Sequence, residues 1–593
     1  MDKKDIAIVA LCFVLLVVWV VYFSPKPQPP AGPGPAQPGP AQQVPPDQGP
    51  GPDQANVPPV EPPPVVPPPP PPPAGSTAAL YANLPAHEPV SLRHENVEYI
   101  FEPDRGALRE ARLFRYHAED RHGEMRLGDP AEPMLGVTDA DGKWRFSRAR
   151  IEEQTATRLR LSRLVLGTEL VVEQQWEMTA GQPYLLLYEV RLRHYGSAPL
   201  ELPRVLINCG IVQPLGTPSG LFGAAGPDQK ADFWRVGDEK ARNEDVAAVR
   251  KLDDKDRLEL ASHALKGLAV ENKYFTVVGL LRGEPATGCE LKALPWTSAP
   301  PGTAQEQQLL AGHLAFAPSV LAPGQTRTIA MDSFIGPKEY STLKSLGHGI
   351  HDVMQFKQFI FWNWSWMEGI CLAILWSMLK LHALTGNYGI AIIIITLVLR
   401  TIFWPLTHKS TVLSRRMQAI QPLAKEIREK YKDDPQKMQM KTMELYKQHK
   451  INPLGGCLPV LLQIPVFFAL FNVLRSAIEL RQAQFLWASD LSLPDTVLTV
   501  VGLPINPMAV VMGVGMVYQQ KIMPTSADPM QQRMMLIMSA FFTLMLYNMP
   551  SGLTLYWTVN QACSILQYKV THTMLKDDQQ GTGRATDPQP AKR

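Results

Sequence analysis

A single arginine interrupts one of the uncharged apolar segments of this sequence. Arg400 follows twelve uncharged residues that begin at Tyr388, and the segment ends at Trp404. An arginine inside a membrane span costs about 2.5 to 3.5 kcal/mol on insertion scales, so a charge at this position is by default a functional hypothesis. The alternative is a side chain that extends to the inner headgroups, because Arg400 lies about one helical turn from the end of the segment.

Polar side chains in the other apolar segments occur at comparable depths and could line a wet cavity with Arg400. Single Ser or Thr residues in spans often serve only helix packing, but two adjacent amides in one layer with an arginine favour a site. No predicted span contains an acidic residue, so the partners expected for Arg400 are water, side-chain oxygens or a substrate carboxylate. The candidate groove residues are Thr396, Arg400, Gln463, Ser539, Thr543, Asn560, Gln561 and Ser564.

The sequence contains no motif for covalent catalysis or cofactor binding. It has no P-loop, no H-E-x-x-H, no G-x-S-x-G and no dinucleotide fingerprint, and its six cysteines form no C-x-x-C pair. We therefore expect no metal site, no cofactor and no covalent catalytic step. A net charge of +3 gives no surplus for binding DNA. Cys209 and Cys289 could form a disulfide in an oxidising compartment, which their spacing alone does not decide.

The composition of the chain is strongly segregated, as in a membrane protein with a large soluble part. Residues 6–23 form an uncharged apolar run, which predicts an uncleaved signal anchor, although a signal peptide is the alternative. The next segment, 25–73, holds 24 of the 56 prolines and predicts a stiff spacer. From about Leu80 to Ile335 apolar and polar residues alternate, which predicts one large antiparallel β-sandwich.

The charges between the apolar segments set the topology. Residues 405–452 carry 11 Lys or Arg and 5 acids, so the positive-inside rule assigns this loop to the cytoplasm. An outward β domain then requires an odd number of spans before the loop. This agrees with the Trp-rich segment at 359–384 lying at the interface, since its uncharged part has only 11 residues. A turn at Asn548–Gly552 divides the last apolar stretch into two spans, so that six spans result, with both termini inside.

The basic loop is helical by its apolar pattern. Two antiparallel helices are expected at about Thr411–Lys432 and Pro435–Lys450, and Asp434 and Pro435 supply an N-cap and a favoured first residue. The basic residues could simply be solvated, or they could contact anionic lipid, ribosomal RNA or an acidic incoming chain.

Four segments of this sequence resemble the YidC/Oxa/Alb family of membrane protein insertases. They are Gly389–Leu406 (GIAIIIITLVLRTIFWPL), Asn452–Leu470 (NPLGGCLPVLLQIPVFFAL), Asp528–Gln532 (DPMQQ) and Pro550–Tyr556 (PSGLTLY). The order of signal anchor, β domain and basic hairpin resembles the Gram-negative form of the family. The 49-residue proline-rich spacer is a departure from that form.

The resemblance implies roles for further residues. Arg400 would be the groove arginine, and the third and sixth spans would form a substrate slide with Ile464, Tyr556 and Trp557. The hairpin would be the mobile cytoplasmic element, making its contacts through Arg415, Arg416, Lys425, Arg428, Lys430 and Lys432.

The resemblance also implies the fold class: six transmembrane helices, five of them in a core bundle, plus a periplasmic all-β supersandwich. The expected order is a signal-anchor helix (1–24), a Pro-rich periplasmic linker (25–79), the β domain (80–337), a connecting segment with an interfacial amphipathic helix (338–387), a second span (388–404), the basic cytoplasmic hairpin (405–453), a third span (454–474), a periplasmic loop (475–507), a fourth span (508–520), a cytoplasmic loop (521–533), a fifth span (534–549), a sixth span (551–568) and a cytoplasmic tail (569–593).

By this resemblance the chain is expected to be an inner-membrane insertase and chaperone with a hydrophilic groove open to the cytoplasm and to lipid, acting alone or with the Sec translocon. Its expected partners are nascent membrane proteins, the translocon, the ribosome and membrane lipids. Two other classes fit the residues. A channel or secondary transporter predicts solute flux without a client, and a membrane-anchored carbohydrate-binding or carbohydrate-modifying protein predicts saturable sugar binding by the β domain.

Overall fold

Long runs of alternating residues and long apolar runs divide the chain into a β domain and a group of helices. The computed structural model describes residues 77–118, 123–215, 229–236, 242–245, 257–260, 264–296, 308–347, 349–359, 362–363, 365–449, 458–500, 503–522 and 529–582. The predicted signal anchor and nearly all of the proline-rich linker lie outside these residues.

The β domain begins after a short helix, α1 (Thr77–Tyr81), and its last strand ends at Pro337. Period-two burial explains its strands: along Gln182–His194 buried and half-buried residues alternate without interruption from Tyr184. Its strands are β1 (Val90–Arg93), β2 (Val97–Glu102), β3 (Ala107–His117), β4 (Glu124–Leu127), β5 (Val137–Asp139), β6 (Arg150–Gln154), β7 (Arg158–Leu164), β8 (Leu170–Thr179), β9 (Gln182–His194), β10 (Leu200–Leu202), β11 (Val205–Val212), β12 (Lys230–Arg235), β13 (Arg242–Asp245), β14 (Arg257–Leu260), β15 (Leu265–Glu271), β16 (Phe275–Leu281), β17 (Gly288–Pro295), β18 (Gln308–Phe316), β19 (Ser319–Leu321) and β20 (Thr326–Pro337).

Within the described residues the strands form a nine-stranded sheet in the order β13-β12-β15-β16-β20-β9-β8-β7-β6 and a five-stranded sheet in the order β14-β17-β18-β11-β5. Strands β1 to β4 form a further sheet in chain order. Neighbouring strands are antiparallel, for example Ala330 opposite Glu189 and Leu291 opposite Gly312. The expectation of a large β-rich domain from the alternating residues is therefore confirmed.

The two large sheets pack face to face over an apolar core. Every residue of β11 is buried, as expected for a strand covered on both faces. Gly210 lies where the sheets approach closely, because a Cβ there would be 2.3 Å from Cγ1 of Val277 in β16. Cys209 and Cys289 are buried in the five-stranded sheet, and the structure does not join them by the disulfide that their spacing left open.

The helices after the β domain follow the apolar segments of the sequence. A small helix, α2 (Tyr340–Ser345), a 3₁₀ turn (Ile350–Met354) and a hairpin of β21 (Gln358–Phe359) and β22 (Trp362–Asn363) come first. The long helices are α3 (Ser365–Thr385), α4 (Tyr388–Ala419), α5 (Gln421–Lys430), α6 (Pro435–Gln448), α7 (Leu458–Ser476), α8 (Pro507–Ile522), α9 (Pro529–Leu546) and α10 (Ser551–Thr582). The 3₁₀ turn Ile478–Leu480 and the hairpin of β23 (Leu498–Val500) and β24 (Leu503–Ile505) lie between α7 and α8.

Three helix boundaries differ from the sequence-based expectation. The helix that begins at Tyr388 does not end at Trp404 but continues to Ala419, and the first hairpin helix begins only at Gln421. Likewise α10 continues past residue 568 to Thr582. The apolar residues of a span end where the polar environment begins. The helix itself can continue beyond that point as long as its backbone hydrogen bonds do, so composition alone does not locate the end of a helix.

The helix α3 also differs from the amphipathic helix expected at this position. Trp376 and Leu384 are exposed on one side while Met367, Cys371 and Met378 are buried on another, so the helix is apolar on more than one face. Among the described residues, Trp366–Thr385 is the one helix whose length and hydropathy would suffice to cross a membrane, whereas Tyr388–Trp404, Gln463–Ser476 and Arg533–Leu546 are shorter apolar stretches. The count of six spans stays a prediction.

Polar contacts join the β domain to the loop between α7 and α8. Arg481 donates to the carbonyl of His117 at 2.7 Å, and Nε2 of Gln482 donates to the carbonyl of Ala118 at 2.8 Å. Lys273, between β15 and β16, donates to the carbonyl of Ser492 at 2.9 Å. This loop is therefore attached to the β domain at several points.

Candidate functional site

The arginine of the second apolar segment is held against the last helix. On α4, Nε of Arg400 donates to Oδ1 of Asn560 at 2.5 Å. Its Nη2 donates to the Asn560 carbonyl at 2.9 Å and to Oγ of Ser564 at 2.5 Å. Arg400 is half-buried, and the acceptors it contacts among the described residues are all uncharged oxygens, with no carboxylate among them. Side-chain oxygens, one of the partner types expected from the sequence, therefore hold this guanidinium.

The spacing of residues on α10 explains how one side chain reaches two partners. Asn560 and Ser564 are four residues apart and so lie on one helix face, where the planar guanidinium can contact both. Oγ of Ser564 also donates to the Asn560 carbonyl at 2.9 Å, which leaves its lone pairs available to the arginine. Tyr556, one turn earlier, continues the same face.

A second polar contact joins α7 to this face of α10. The amide of Gln463 donates to the hydroxyl of Tyr556, which is 1% exposed. The neighbouring Trp557 packs edge-on against Phe467 of α7 with ring centroids 5.4 Å apart. Two of the residues assigned to the slide, Tyr556 and Trp557, therefore lie at the α7–α10 contact, and Ile464 of α7 is half-buried against the apolar core.

Like Gln463, three further candidate residues, Thr396, Ser539 and Thr543, do not contact Arg400. Thr396 is 1% exposed and its hydroxyl donates to the carbonyl of Ile392 in its own helix at 2.7 Å, so its proton is used within α4. Ser539 donates to Oε1 of Gln520 on α8 at 3.1 Å, and Thr543 donates to the Ser539 carbonyl at 2.8 Å. Ser539 and Thr543 therefore belong to the α8–α9 contact. Sequence reasoning missed Gln520, whose only signal was an amide just before Lys521.

Gln561 points away from the arginine although it adjoins Asn560. Consecutive helical residues lie about 100° apart, so Gln561 faces α8 instead of α4. A Cβ added at Gly515 of α8 would be 2.4 Å from its Oε1. The side chain is 4% exposed, and neither its Oε1 nor its Nε2 has a hydrogen-bond partner among the described residues.

The α5–α6 hairpin, predicted from the sequence to be cytoplasmic, has a small apolar core. Ile420, Ala424 and Leu445 are buried, and Ile427 and Tyr446 pack against them. Asp434 caps α6 by accepting from the Lys437 backbone N–H at 3.1 Å, as its sequence position predicts. Lys425, Lys430 and Lys432 are exposed and Arg428 is half-buried, while the side chains of Arg415 and Arg416 lie outside the described part of the chain. Exposed cations on a weakly packed helix pair can meet an anionic partner at little cost.

The β domain carries an open cavity of about 860 Å³ near its first helix. Tyr81 and Asn83 line it on one side, and Phe146, Arg148 and Glu169 line it on another. No group of three or more His, Cys, Asp or Glu side chains arranged to hold a metal ion occurs within the described residues.

Comparison with known proteins gives matches over the helical part and beyond. Residues 380–578 match the family described as 60Kd inner membrane protein. The chain is 37% identical over 376 residues to a membrane protein insertase YidC of Pelobacter propionicus, covering 62% of this chain and 64% of that protein. It is 45% identical over 248 residues to the one of Geobacter sulfurreducens, covering 42% of this chain and 44% of that protein. The matches thus cover less than two thirds of either relative.

Among solved structures, the chain is similar to a crystal structure of an active YidC insertase with its first transmembrane domain resolved. That similarity has 19% sequence identity and a TM-score of 0.34, and it covers 82% of this chain and 92% of that chain.

Proposed function

We propose that this chain is an inner-membrane insertase for nascent membrane proteins, because residues 380–578 match the family of 60Kd inner membrane proteins, in agreement with the resemblance inferred from the sequence. The observation that carries the proposal is the half-buried Arg400, fixed by Asn560 and Ser564 within apolar helices and without a carboxylate partner among the described residues. A cation that is positioned but not neutralised can attract an acidic flank of an incoming chain.

The proposed topology has the β domain in the periplasm, the α5–α6 hairpin and both termini in the cytoplasm, and spans at α4, α7, α8, α9 and α10 in addition to the N-terminal anchor. The helix α3 is assigned to the outer interface. Glu368, near its start, lies 3.7 Å from Lys357 and accepts from the Tyr340 hydroxyl at 3.2 Å. Beyond its end, Asn387 donates to the carbonyl of Gln484 at 3.1 Å.

These contacts support the interfacial assignment of α3 because both of its ends meet the same side of the protein. Gln484 belongs to the loop whose Arg481 and Gln482 bind the β domain. A helix that crossed the bilayer would have ends about 30 Å apart along the membrane normal. With α3 lying along the surface, α4 starts outside and carries Arg400 into the cytoplasmic half, near the basic hairpin.

Energetics explain why such a protein needs no nucleotide. A 20-residue apolar segment gains on the order of 10 kcal/mol on entering lipid at about 0.5 kcal/mol per residue, so the obstacle is moving its polar flank. Arg400 would attract an acidic flank by about 3 kcal/mol at a separation of about 6 Å and an effective dielectric constant of about 20. The membrane potential adds about 2.3 kcal/mol per charge per 100 mV.

Short helices would reduce the barrier further. The 16 residues of α8 span about 24 Å at 1.5 Å per residue, which is less than a hydrocarbon core of about 30 Å. A bilayer next to α8 and α9 would thin to match them, so a client's flank would travel a shorter path. The exposed cations of the hairpin support the ribosome, the nascent chain and anionic lipid as cytoplasmic partners, and action with the Sec translocon is part of the same proposal.

The proposal is tested by reconstitution of the full chain in liposomes with a small single-span client that has an acidic flank. Arg400→Ala should slow client insertion strongly, Arg400→Lys should largely retain it, and a client with neutral flanks should respond little to either change. Equal insertion by the Ala variant and the unmodified chain would refute the charge argument. Ion conductance or solute flux without client would favour the channel or transporter instead.

Two experiments on the β domain distinguish an insertase from a carbohydrate-binding or carbohydrate-modifying protein. Deletion of residues 80–327 should leave client insertion largely intact, because no residue of the polar helix contacts lies there. Titration of the full chain with mono- and disaccharides should give no saturable binding. Complete loss of insertion together with saturable sugar binding would assign the function to the β domain.

A further inference from the structure

The loop that precedes α8 contains a hairpin whose composition is unlike that of an ordinary extracellular turn. From Thr496 to Gln520 no residue is charged. Strands β23 and β24 pair antiparallel with Leu498 opposite Ile505 and Val500 opposite Leu503. The backbone N–H of Val497 extends the pair by donating to the Ile505 carbonyl at 3.0 Å. Val497 and these two strands are called the outer hairpin below.

The apolar side chains of the outer hairpin are exposed on both of its faces. Leu503 is 71% exposed, and Val497 is 55% exposed. Leu498, Val500 and Ile505 are exposed as well, so no described residue of the protein covers the hairpin. Soluble surfaces rarely present a contiguous apolar patch of this kind without a partner.

The base of the outer hairpin is fixed by polar contacts. Asn506 is fully buried, and its Nδ2 donates to the Tyr547 carbonyl at 2.8 Å at the end of α9. The Tyr547 hydroxyl donates to the Pro504 carbonyl at 2.8 Å, and Asp495 accepts from the Met508 backbone N–H at 2.6 Å at the start of α8. The hairpin is therefore held at the outer ends of α8 and α9.

We propose that the outer hairpin inserts into the outer leaflet of the bilayer and fixes the depth of α8 and α9, an inference that rests on the proposed membrane topology. Lipid is the occupant that fits, because the hairpin is continuous with the apolar surface of α8 and separated from it only by Asn506. Trp487 and Leu486 lie in the same loop and are exposed as well. The Trp487 indole N–H donates to Asp495 at 2.8 Å, an apolar body with one polar end that is typical of the membrane interface.

The experiment uses the full chain with its native cysteines replaced and one cysteine introduced, Leu503→Cys, carrying the environment-sensitive fluorophore NBD. Leu498→Cys serves as a second position, in case one label disturbs folding. Val320→Cys in β19 is the matched control, because Val320 is an apolar strand residue that is 59% exposed in the β domain. The protein is reconstituted in vesicles of phosphatidylethanolamine and phosphatidylglycerol, with lipids that carry a spin label near the top of the acyl chain.

NBD at positions 503 and 498 should emit at shorter wavelength than at 320, lose most of its fluorescence to the spin-labelled lipid and resist aqueous iodide. Quenching by iodide equal to that at 320 would overturn the inference. Protection from both quenchers would also overturn it, since a protein surface or a second copy would then cover the hairpin.

Client insertion measured in the same vesicles separates this inference from the proposed function. Active vesicles with an iodide-accessible hairpin would refute the hairpin assignment alone. Inactive vesicles with a lipid-embedded hairpin would support the hairpin assignment and count against the insertase.

Discussion

Arg400 has two possible roles that the structure allows to be separated, a charge for clients and a bridge between α4 and α10. Arg400→Ala removes both. Asn560→Ala removes the side-chain acceptor at 2.5 Å but keeps the charge, the contact with the Asn560 carbonyl and the contact with Ser564. Arg400→Lys keeps the charge but cannot contact both residues with a planar fork. If clients use the charge, only Arg400→Ala slows insertion strongly.

The expected changes in the free energy of unfolding and in the insertion rate can be calculated from the contacts of Arg400. Hydrogen bonds between membrane helices contribute about 0.6 kcal/mol on average and at most about 1.7 kcal/mol in double-mutant cycles. Arg400 makes three such bonds to α10, so Arg400→Ala should lower the free energy of unfolding by about 1 to 3 kcal/mol, and the Arg400–Asn560 coupling should be about 1 kcal/mol. An attraction of about 3 kcal/mol for an acidic flank corresponds to a change in insertion rate of up to about 100-fold.

The assay is a double-mutant cycle on four proteins: the unmodified chain, Arg400→Ala, Asn560→Ala and the variant with both substitutions. Thermal unfolding is measured in detergent micelles, and the insertion rate of the client is measured in liposomes. Asn560→Ala should lose stability but insert an acidic-flanked client within a few-fold of the unmodified chain, whereas Arg400→Ala should be slowed far more. If Asn560→Ala and Arg400→Ala slow insertion equally, Arg400 acts as a structural bridge and the reasoning fails.

Three further predictions concern packing, pH and a buried amide. Gly513→Ala should lower the free energy of unfolding by about 1 to 3 kcal/mol, because a Cβ there would be 2.5 Å from Cγ2 of Thr543. Gly369→Ala in α3 is the control, because a Cβ at Gly369 would meet open space. Equal effects of the two substitutions would refute the packing argument. Burial, reinforced by Glu339, raises the pKa of Glu479 from 4.5 to about 7, so ionisation opposes folding and stability falls as the pH rises between these values. Glu479→Gln should therefore stabilise the chain by up to about 3 kcal/mol at pH 8 and little at pH 4 in thermal unfolding, and a pH-independent effect would contradict this. Gln561→Leu should raise the unfolding temperature, because both polar atoms of this amide lack hydrogen-bond partners among the described residues. Gln463→Leu should lower the unfolding temperature, because that amide donates to Tyr556. A lower unfolding temperature in both variants would show that the Gln561 amide does have hydrogen-bond partners.

The polar contact of Arg400 could be foreseen in part from the sequence. A charge within an apolar segment indicated a site, and the depth of Asn560 and Ser564 in the last segment suggested partners. The sequence did not predict which partner each side chain would contact. Thr396 lies one turn from Arg400, yet its hydroxyl donates to a carbonyl of its own helix. Depth follows from counting residues along a span, but the direction in which a side chain points depends on how the helices pack.

The fold shows the same division. Alternation along β9 predicted strands, and the charge distribution predicted where apolar helices begin. The end of α4 at Ala419 and the length of α10 were missed because polar residues can continue a helix that apolar residues started. The hairpin of β23 and β24 was missed because its apolar residues are too few for a span and lie in a segment assigned to a loop.

The polar residues expected in a single layer lie in several separate helix contacts, and the geometry of α10 explains why two neighbouring residues of that helix face different partners. Asn560 and Ser564 face α4, where Arg400 satisfies them, while Gln561 faces α8 beside Gly515. A buried amide without partners costs about 1 to 3 kcal/mol, so the α8–α10 contact is weaker than its apolar area implies. The α4–α10 contact, in contrast, is strengthened by a charged hydrogen-bond donor. Separating α10 from α8 therefore costs less than separating α10 from α4. A polypeptide or water that entered between α8 and α10 would reach Gln561, which is next to Asn560 in the chain and thus close to the side chains that hold Arg400.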